Sequence, residues 1–249
     1  GFLPRWKLLA VCARDGHLLW ESAMLSPTFA RLREEGRDNP VSVTAVGDSA
    51  LKTFLTQRSW RDLTVGTLSS DAEYVFAIES LDTTPGTTFV AGGVPTTTAA
   101  STNILTALEL SSGKLKWEVG GPRGDYELEQ SGTFFLGPPL PYQGCLYCLT
   151  ESSGEIRLLV LDPATGGMLW EQSLVQPAAG LMQYDPRQQA GLSPSSANGI
   201  LICPTAAGAV VGIDRVSRML LWGYMYDRNV HPLPEERRAG NFLGLIFPE

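Results

Sequence analysis

The sequence contains neither a long apolar run nor a cluster of basic residues, and each absence excludes a class of protein. No apolar stretch approaches the roughly twenty residues that a membrane-spanning helix requires. The 249 residues carry a formal net charge of −7, and no two basic residues are adjacent except Arg237 and Arg238. Nucleic-acid binding instead favours lysine and arginine clustered on one face. We therefore expect no transmembrane segment and no nucleic-acid partner.

Cysteine is scarce, which limits metal and redox chemistry. The four cysteines are Cys12, Cys145, Cys148 and Cys203. Cys145 and Cys148 have the spacing of half a zinc site or of a redox pair. However, they lie in an expected strand, where residues three apart point to opposite faces. Cys148 and Cys203 occupy the same position of neighbouring repeats, which indicates small buried residues. We predict no metal ligand and no cofactor-binding residue.

Recognised catalytic motifs are also missing. There is no glycine-rich phosphate loop and no H-E-x-x-H pattern,. The segment 47–50, Gly-Asp-Ser-Ala, is similar to the nucleophile turn of some serine hydrolases. Only His17, in a repeat hairpin, and His231, in a proline-rich tail, are available as a base,. An ordinary turn is the favoured interpretation of Ser49, and the segment 185–187 is interpreted as a solvated loop. We predict no catalytic residue.

One phrase occurs four times: an apolar strand, a polar turn and a second strand that ends in tryptophan. The copies are residues 10–20, 107–117, 160–170 and 212–222. An acidic or polar residue stands eight positions before each tryptophan, and in three copies glycine stands four before it. A period of about fifty residues indicates stacked modules. The repeat residues are Trp20, Trp117, Trp170, Trp222, Glu109, Asp162, Asp214, Gly16, Gly113 and Gly166.

Turn geometry and packing account for each part of this phrase. The acidic side chain accepts hydrogen bonds from turn amides, and the glycine adopts a positive φ. The tryptophan supplies a large flat surface for packing between adjacent modules. In the last copy Arg218 replaces the glycine, which predicts an altered or strained turn that Ser217 does not obviously repair.

The modules predict an all-β fold of four-stranded antiparallel meanders, the blades of a β-propeller or propeller arc. We interpret residues 1–249 as a single propeller region. It consists of a half blade over 5–21, an insertion over 22–62, blades over 63–120, 134–175 and 190–226, and a tail over 227–249. The blade at 134–175 is expected to begin with one strand over 134–140. On this count of blades the ring is incomplete, and we expect a segment of a larger propeller.

Two stretches interrupt the period. Within 22–62, the residues from Ser26 to Gly36 have the cap, first-turn proline and closing glycine of a short helix,. The alternative is a decayed extra module that ends near Trp60. Residues 82–103 are rich in threonine, alanine, glycine and proline, and we interpret them as a long loop. Any recognition is expected on these two insertions, because loops on a rigid scaffold carry most binding sites.

The motif from Asp162 to Trp170 and its three relatives resembles the tryptophan-docking repeat of the PQQ-like β-propeller family. This family includes quinoprotein alcohol dehydrogenases and a cofactor-free outer-membrane assembly lipoprotein. The resemblance covers 64–226 well and 5–21 in part. For an enzyme of this family, the resemblance implies a quinone cofactor held between a tryptophan and a disulfide of two adjacent cysteines, with a calcium ion bound by Glu and Asn. No two cysteines adjoin here, and no such Asn can be chosen among Asn103, Asn198, Asn229 and Asn241.

The resulting hypothesis is a non-catalytic protein-interaction or scaffolding module without a cofactor. Its partner is an unidentified protein or the remaining blades of the parent propeller. Periplasm or cell envelope is the location that the resemblance implies. The alternative is a fragment of a PQQ- and calcium-dependent alcohol dehydrogenase.

Overall fold

A computed structural model describes residues 8–22, 62–79, 86–89, 95–98, 102–123, 127–177 and 185–226. All strand pairs in these ranges are antiparallel. The two described helices, α1 (Leu63–Gly66) and α2 (Asp185–Gln188), have four residues each. No helix in these ranges is long and apolar enough to cross a membrane. The all-β prediction is confirmed.

Three four-stranded meanders follow one another along the chain. Blade 1 contains β3 (Leu68–Ser70), β4 (Tyr74–Glu79), β7 (Ile104–Glu109) and β8 (Leu115–Gly120). Blade 2 contains β10 (Leu140–Tyr142), β11 (Cys145–Ser152), β12 (Glu155–Leu161) and β13 (Met168–Val175), with β9 (Phe134–Phe135) also paired to β11. Blade 3 contains β14 (Ser195–Ala197), β15 (Ile200–Pro204), β16 (Ala209–Asp214) and β17 (Leu220–Met225). The first hairpin, β1 (Leu9–Val11) and β2 (Leu18–Glu21), forms a separate two-stranded sheet.

The expected strand over 134–140 is broken into two pieces. Phe134 and Phe135 pair with the far end of β11, whereas Leu140 begins the pairing with the near end. Pro138 and Pro139 lie between the two pieces. Proline has no amide hydrogen to donate to a strand ladder, so pairing stops there and resumes beyond it.

The predicted loop over 82–103 is not wholly irregular. β5 (Gly86–Phe89) and β6 (Pro95–Thr98) form an antiparallel hairpin that pairs with no other strand in the described part of the chain. Threonine is β-branched and favours extended backbone, which explains strands in a segment with few apolar residues. The predicted helix within 22–62, the segment near Ser49 and the tail over 227–249 lie outside the described residues.

Two apolar clusters separate the blades, and blade 2 contributes to both. Its strands alternate: Tyr147 and Leu149 of β11 face blade 3, whereas Leu146 and Cys148 face blade 1. Blade 3 completes the first cluster with Leu201, Cys203, Val211 and Ile213. Blade 1 completes the second with Phe76, Ile78, Leu105, Ala107, Trp117 and Val119. A sheet buried on both faces favours a continuous apolar run, and residues 145–149 of β11 and 158–161 of β12 form such runs,.

Buried polar side chains connect successive blades. Asn103 of blade 1 is fully buried and bonds both backbone groups of Phe135: its Nδ2 donates to the carbonyl at 2.9 Å, and its Oδ1 accepts from the amide at 2.7 Å. Thr64 of α1 donates to the carbonyl of Leu136 at 3.1 Å and accepts from the amide of Gly191 at 3.2 Å. These bonds satisfy backbone groups that lie outside the sheet ladders.

Arg187 of α2 forms a buried ion pair with Glu151 of β11. Arg187 Nε lies 2.7 Å from Glu151 Oε2, and Nη2 donates to Oε1 at 2.9 Å. Both side chains are almost completely buried. The interpretation of 185–187 as a solvated loop is therefore wrong for Arg187, because a buried carboxylate on β11 compensates the charge of the guanidinium.

Candidate functional site

The four repeat turns share one backbone geometry. In each, the amide of the glycine-position residue donates to the carbonyl of the residue four earlier at 2.8 Å, for the pairs Gly16 and Cys12, Gly113 and Glu109, Gly166 and Asp162, and Arg218 and Asp214. Arg218 keeps this bond but has a φ of 60°, the left-handed conformation that favours glycine,. The turn is therefore strained but not altered in its backbone hydrogen bond.

Acidic side chains hold two of these turns through backbone amides. Asp162 Oδ1 accepts from the amide of Ala164 at 2.8 Å. Asp214 Oδ1 accepts from the amides of Val216 at 3.1 Å and Ser217 at 2.6 Å, and from the Ser217 hydroxyl at 2.8 Å. Hydrogen bonds from Ser217 are the main reason that the pKa of Asp214 lies below its ordinary value,. Ser217 thus does stabilise the turn that contains Arg218. In the blade 1 turn, Glu109 accepts instead from the Ser112 hydroxyl, at 2.8 Å.

Three of the four turns, all except the one at Gly16, also lie next to the tryptophan of the preceding copy. Trp20 Nε1 donates to the carbonyl of Leu110 at 2.7 Å. A Cβ added at Gly113 would lie 2.4 Å from Trp20 Cε3. The glycine therefore serves two purposes, because it adopts a φ of 68° and leaves room for the indole ring,.

The same contact joins blade 1 to blade 2. Trp117 Nε1 donates to the carbonyl of Pro163 at 2.9 Å, and a Cβ at Gly166 would lie 2.9 Å from Trp117 Cδ2. The ring is 9% exposed and lies 6.0 Å from Phe76, centroid to centroid. We call this contact the tryptophan dock. In a dock the indole ring packs on the glycine of the next turn, and the indole N–H donates to the backbone carbonyl of the residue that follows the acid.

The contact between blades 2 and 3 is a variant of the dock. The guanidinium carbon of Arg218 lies 5.3 Å from the centroid of the Trp170 ring. A cation over an indole face is attracted by the ring quadrupole. In the other docks the indole packs directly on a glycine, whereas here it makes a cation–π contact with the side chain of Arg218.

Among the described residues, the two ends of this row of docks have no further dock beyond them. No described atom lies within 4 Å of a Cβ built at Gly16, the first glycine turn. At the other end Trp222 is 39% exposed, in contrast to Trp117. Trp222 lies over Gly212 of the neighbouring strand, where an added Cβ would come within 2.2 Å of its Cε2.

Blade 3 presents an apolar surface around Trp222. On β17 the side chains of Trp222 and Tyr224 alternate with those that point to the opposite face, and they pair across the sheet with Gly212 and Val210,. The surface continues through Ile202 and Ile200 of β15. We call these residues the open face: Ile200, Ile202, Val210, Trp222 and Tyr224. Tyr224 is 65% exposed.

All four cysteines lie in the described part of the chain. None of the four is bonded to another. Cys148 and Cys203 are buried in different clusters, as expected from their repeat position, and burial raises the pKa of both thiols, that of Cys203 to about 12. Such thiols remain protonated and unreactive.

Comparisons with known proteins agree with this architecture. A family profile described as outer membrane protein assembly factor BamB matches residues 101–241. The crystal structure of BamB from Moraxella catarrhalis is similar at 13% identity and a TM-score of 0.50, covering 89% of this chain and 47% of that chain. A quinohemoprotein alcohol dehydrogenase from Comamonas testosteroni has 13% identity and a TM-score of 0.46, covering 89% of this chain and 32% of that one.

No curated protein matches the chain. The chain spans about half the length of the BamB structure that it resembles, since the similarity covers 47% of that protein. The family profile matches more than half of the chain, and its match includes all of blades 2 and 3. The chain therefore belongs to the PQQ-like β-propeller family of the outer membrane protein assembly factor BamB.

Proposed function

We propose that this chain is a non-catalytic propeller module that binds protein through the open face of blade 3. The observation that carries the proposal is the exposure of Trp222 in a position where Trp117 is covered. An apolar surface of this kind on a folded domain is typical of an interaction site.

The dock indicates what kind of surface would cover the open face. Trp20 and Trp117 each contact a turn with glycine at its fourth position after the acid, and each donates to a backbone carbonyl of that turn. Trp222 has the same place in its blade. The partner that fits is therefore another blade with such a glycine turn, in the parent propeller or in a second protein.

A structural role for the repeat residues supports a non-catalytic function. Asp162 and Asp214 accept hydrogen bonds from turn amides, and Gly113 and Gly166 accommodate indole rings. In these copies the acidic side chains are engaged in turns, and the glycines leave room for the indole rings. Addition of PQQ with calcium should give neither cofactor absorbance nor dye-linked alcohol oxidation; turnover would contradict the proposal.

The cell envelope is the proposed location. The matching family is described by the name of an outer membrane protein assembly factor, and we extend that location to this chain. Fractionation of cells that express the tagged full-length protein tests it. Recovery with the envelope is expected, and recovery with cytosolic markers would contradict the location without affecting the binding proposal.

Self-association offers a direct test of the open face, because the chain carries both an exposed donor tryptophan and an open glycine turn. We expect sedimentation velocity to give an apparent mass that rises with concentration above 26.9 kDa, and we expect binding of a hydrophobic dye. Tyr224→Lys should reduce both, because it places a charge in the open face.

Met225→Lys is the matched control. Met225 is the next residue along β17, is 73% exposed and points to the other side of the strand. The control should associate like the unmodified protein. A stable monomer that binds no dye, or equal effects of the two substitutions, would overturn the proposal.

A further inference from the structure

The turn of the first hairpin contains three side chains of metal-ligand type. A sulfur of Cys12, a carboxylate oxygen of Asp15 and a ring nitrogen of His17 all lie within 4.8 Å of one another. In the described part of the chain they form the one such group of three. All three residues lie within one turn, so the backbone already holds them together.

The other copies of the repeat lack these residue types in combination. Cys12 occupies the position of the turn acids Glu109, Asp162 and Asp214. Asp15 occupies the position of Ser112, Thr165 and Ser217, and His17 that of Lys114, Gly167 and Met219. The Asp15 carboxylate accepts from the amide two residues later, as the Ser112 and Thr165 hydroxyls do in their turns. Turn formation therefore accounts for Asp15, but it does not explain why Cys12 and His17 replace the residues of the other copies.

The side chains of Cys12 and His17 both lie close to the Asp15 carboxylate. Asp15 Oδ1 lies 2.6 Å from His17 Nδ1 and accepts from the His17 amide at 3.2 Å. The Cys12 sulfur lies within 4.8 Å of a carboxylate oxygen of Asp15. A hydrogen bond from the His17 amide is the main reason that the pKa of Asp15 lies below its ordinary value,.

We propose that Cys12, Asp15 and His17 bind one Zn²⁺ ion. The ion takes the place of the thiol proton: the Cys12 sulfur binds it as thiolate, and the proton passes to solvent. A thiolate, an imidazole and a carboxylate are all zinc ligands, with bonds of about 2.0–2.3 Å. Binding requires the three side chains to rotate from their present separations, which are at most 4.8 Å, to that distance from a common centre.

The surroundings leave a position for a fourth ligand. The side chains of Asp15 and His17 are 57% and 59% exposed, and no described atom lies within 4 Å of a Cβ built at Gly16. Water therefore completes the tetrahedron, as in zinc sites with three protein ligands. The mixture of sulfur, nitrogen and oxygen excludes calcium and magnesium, which prefer oxygen alone.

Cobalt absorption spectroscopy on the full chain tests the site, since Co²⁺ bound by thiolate has a charge-transfer band in the near ultraviolet. Under reducing conditions the band is expected to saturate at one equivalent of Co²⁺ and to disappear when Zn²⁺ displaces the probe. Each Zn²⁺ bound should release a proton, which a pH-indicator dye reports.

Substitutions identify the ligands. Cys12→Ser should abolish the band, and His17→Gln should weaken Co²⁺ binding at least about 100-fold, more than loss of an outer-shell partner. Cys145→Ser removes another partly buried cysteine, outside the turn, and should leave the band unchanged. Circular dichroism checks that the variants fold.

Three results would overturn the proposal. The first is the absence of a cobalt–thiolate band in the unmodified protein. The second is a band that survives Cys12→Ser or is lost in Cys145→Ser. The third is unchanged affinity in His17→Gln, which would show that the histidine is not a ligand. None of these results bears on the open face of blade 3.

Discussion

At the scale of single residues, the glycine of the repeat satisfies two independent requirements. Gly166 has a φ of 76° and also contacts the ring of Trp117. Gly16 has nearly the same φ, 74°, but its Cβ position is empty. Comparison of Gly166 with Gly16 therefore separates the need for a positive φ from the need for space beside the indole ring.

We predict that Gly166→Ala destabilises the protein more than Gly16→Ala. Left-handed backbone costs a residue with a Cβ roughly 1–2 kcal/mol, and both variants bear this cost. Only the Cβ at Gly166 collides with an indole, which adds about 1–3 kcal/mol for an overpacked contact. Urea unfolding followed by circular dichroism measures both free energies. Equal losses would contradict a docking role for the glycine.

The residues differ in how visible their roles are in the sequence. The acid, glycine and tryptophan lie within nine positions of one another and recur, so their turn and packing roles are predictable from spacing. The partner of Trp20 is the carbonyl of Leu110, ninety positions away, and no local pattern indicates that contact. Asp15 and His17 are close neighbours in the sequence, but the contact between the imidazole and the carboxylate depends on their side-chain rotamers, which the sequence does not indicate.

At the scale of elements, the strands were predictable and the connections were not. Period-two patterns and turn residues indicate the strands of blades 2 and 3, because a strand's faces follow directly from alternation. The polar connections Asn103 to Phe135 and Arg187 to Glu151 join segments more than thirty residues apart. They occur once each, so the repeat gives no second copy for comparison. The hairpin of β5 and β6 was missed because its threonines indicate strand only through propensity.

The ion pair between α2 and β11 leads to a prediction about coupling. Arg187→Met should destabilise the protein by about 3–5 kcal/mol, because it removes a cation that lies 2.7 Å from the buried Glu151 carboxylate,. The double variant with Glu151→Leu should be more stable than Arg187→Met alone, since the buried carboxylate is removed together with its cation.

A double-mutant cycle in urea measures this coupling. Arg157→Met serves as the control, because Arg157 pairs with Glu155 and Glu171 where the side chains are partly exposed. It should cost no more than about 1 kcal/mol. Strictly additive effects of Arg187→Met and Glu151→Leu would show that the pair does not act as a unit.

At the scale of the whole molecule, the blades form a row in which each contacts its neighbours. Blade 2 is covered on both faces, whereas blade 3 has one covered face and the open face. In such arrays stability is a sum of unit and interface contributions, so the ends are expected to open first.

We predict that amide hydrogen exchange follows this order. The amides of β11 and β12 should exchange most slowly, and those of β17 and of the first hairpin most rapidly among the described strands. Hydrogen–deuterium exchange with mass spectrometry on peptides from each blade measures the rates. Uniform protection across the blades would indicate one cooperative unit instead.

The two ends of the row of described blades differ, since one has the exposed Trp222 and the other has the uncovered glycine turn at Gly16. A contact between such ends is heterologous, since the two surfaces that meet are different and one surface of each type remains unused. Units that join in this way can only follow one another head to tail, and they end either in a closed ring or in a filament. A variant without Trp222 can still accept the tryptophan of a neighbour at its Gly16 turn, but it offers no tryptophan to the next unit. Such a variant would therefore stop the addition of units at one end of the assembly only.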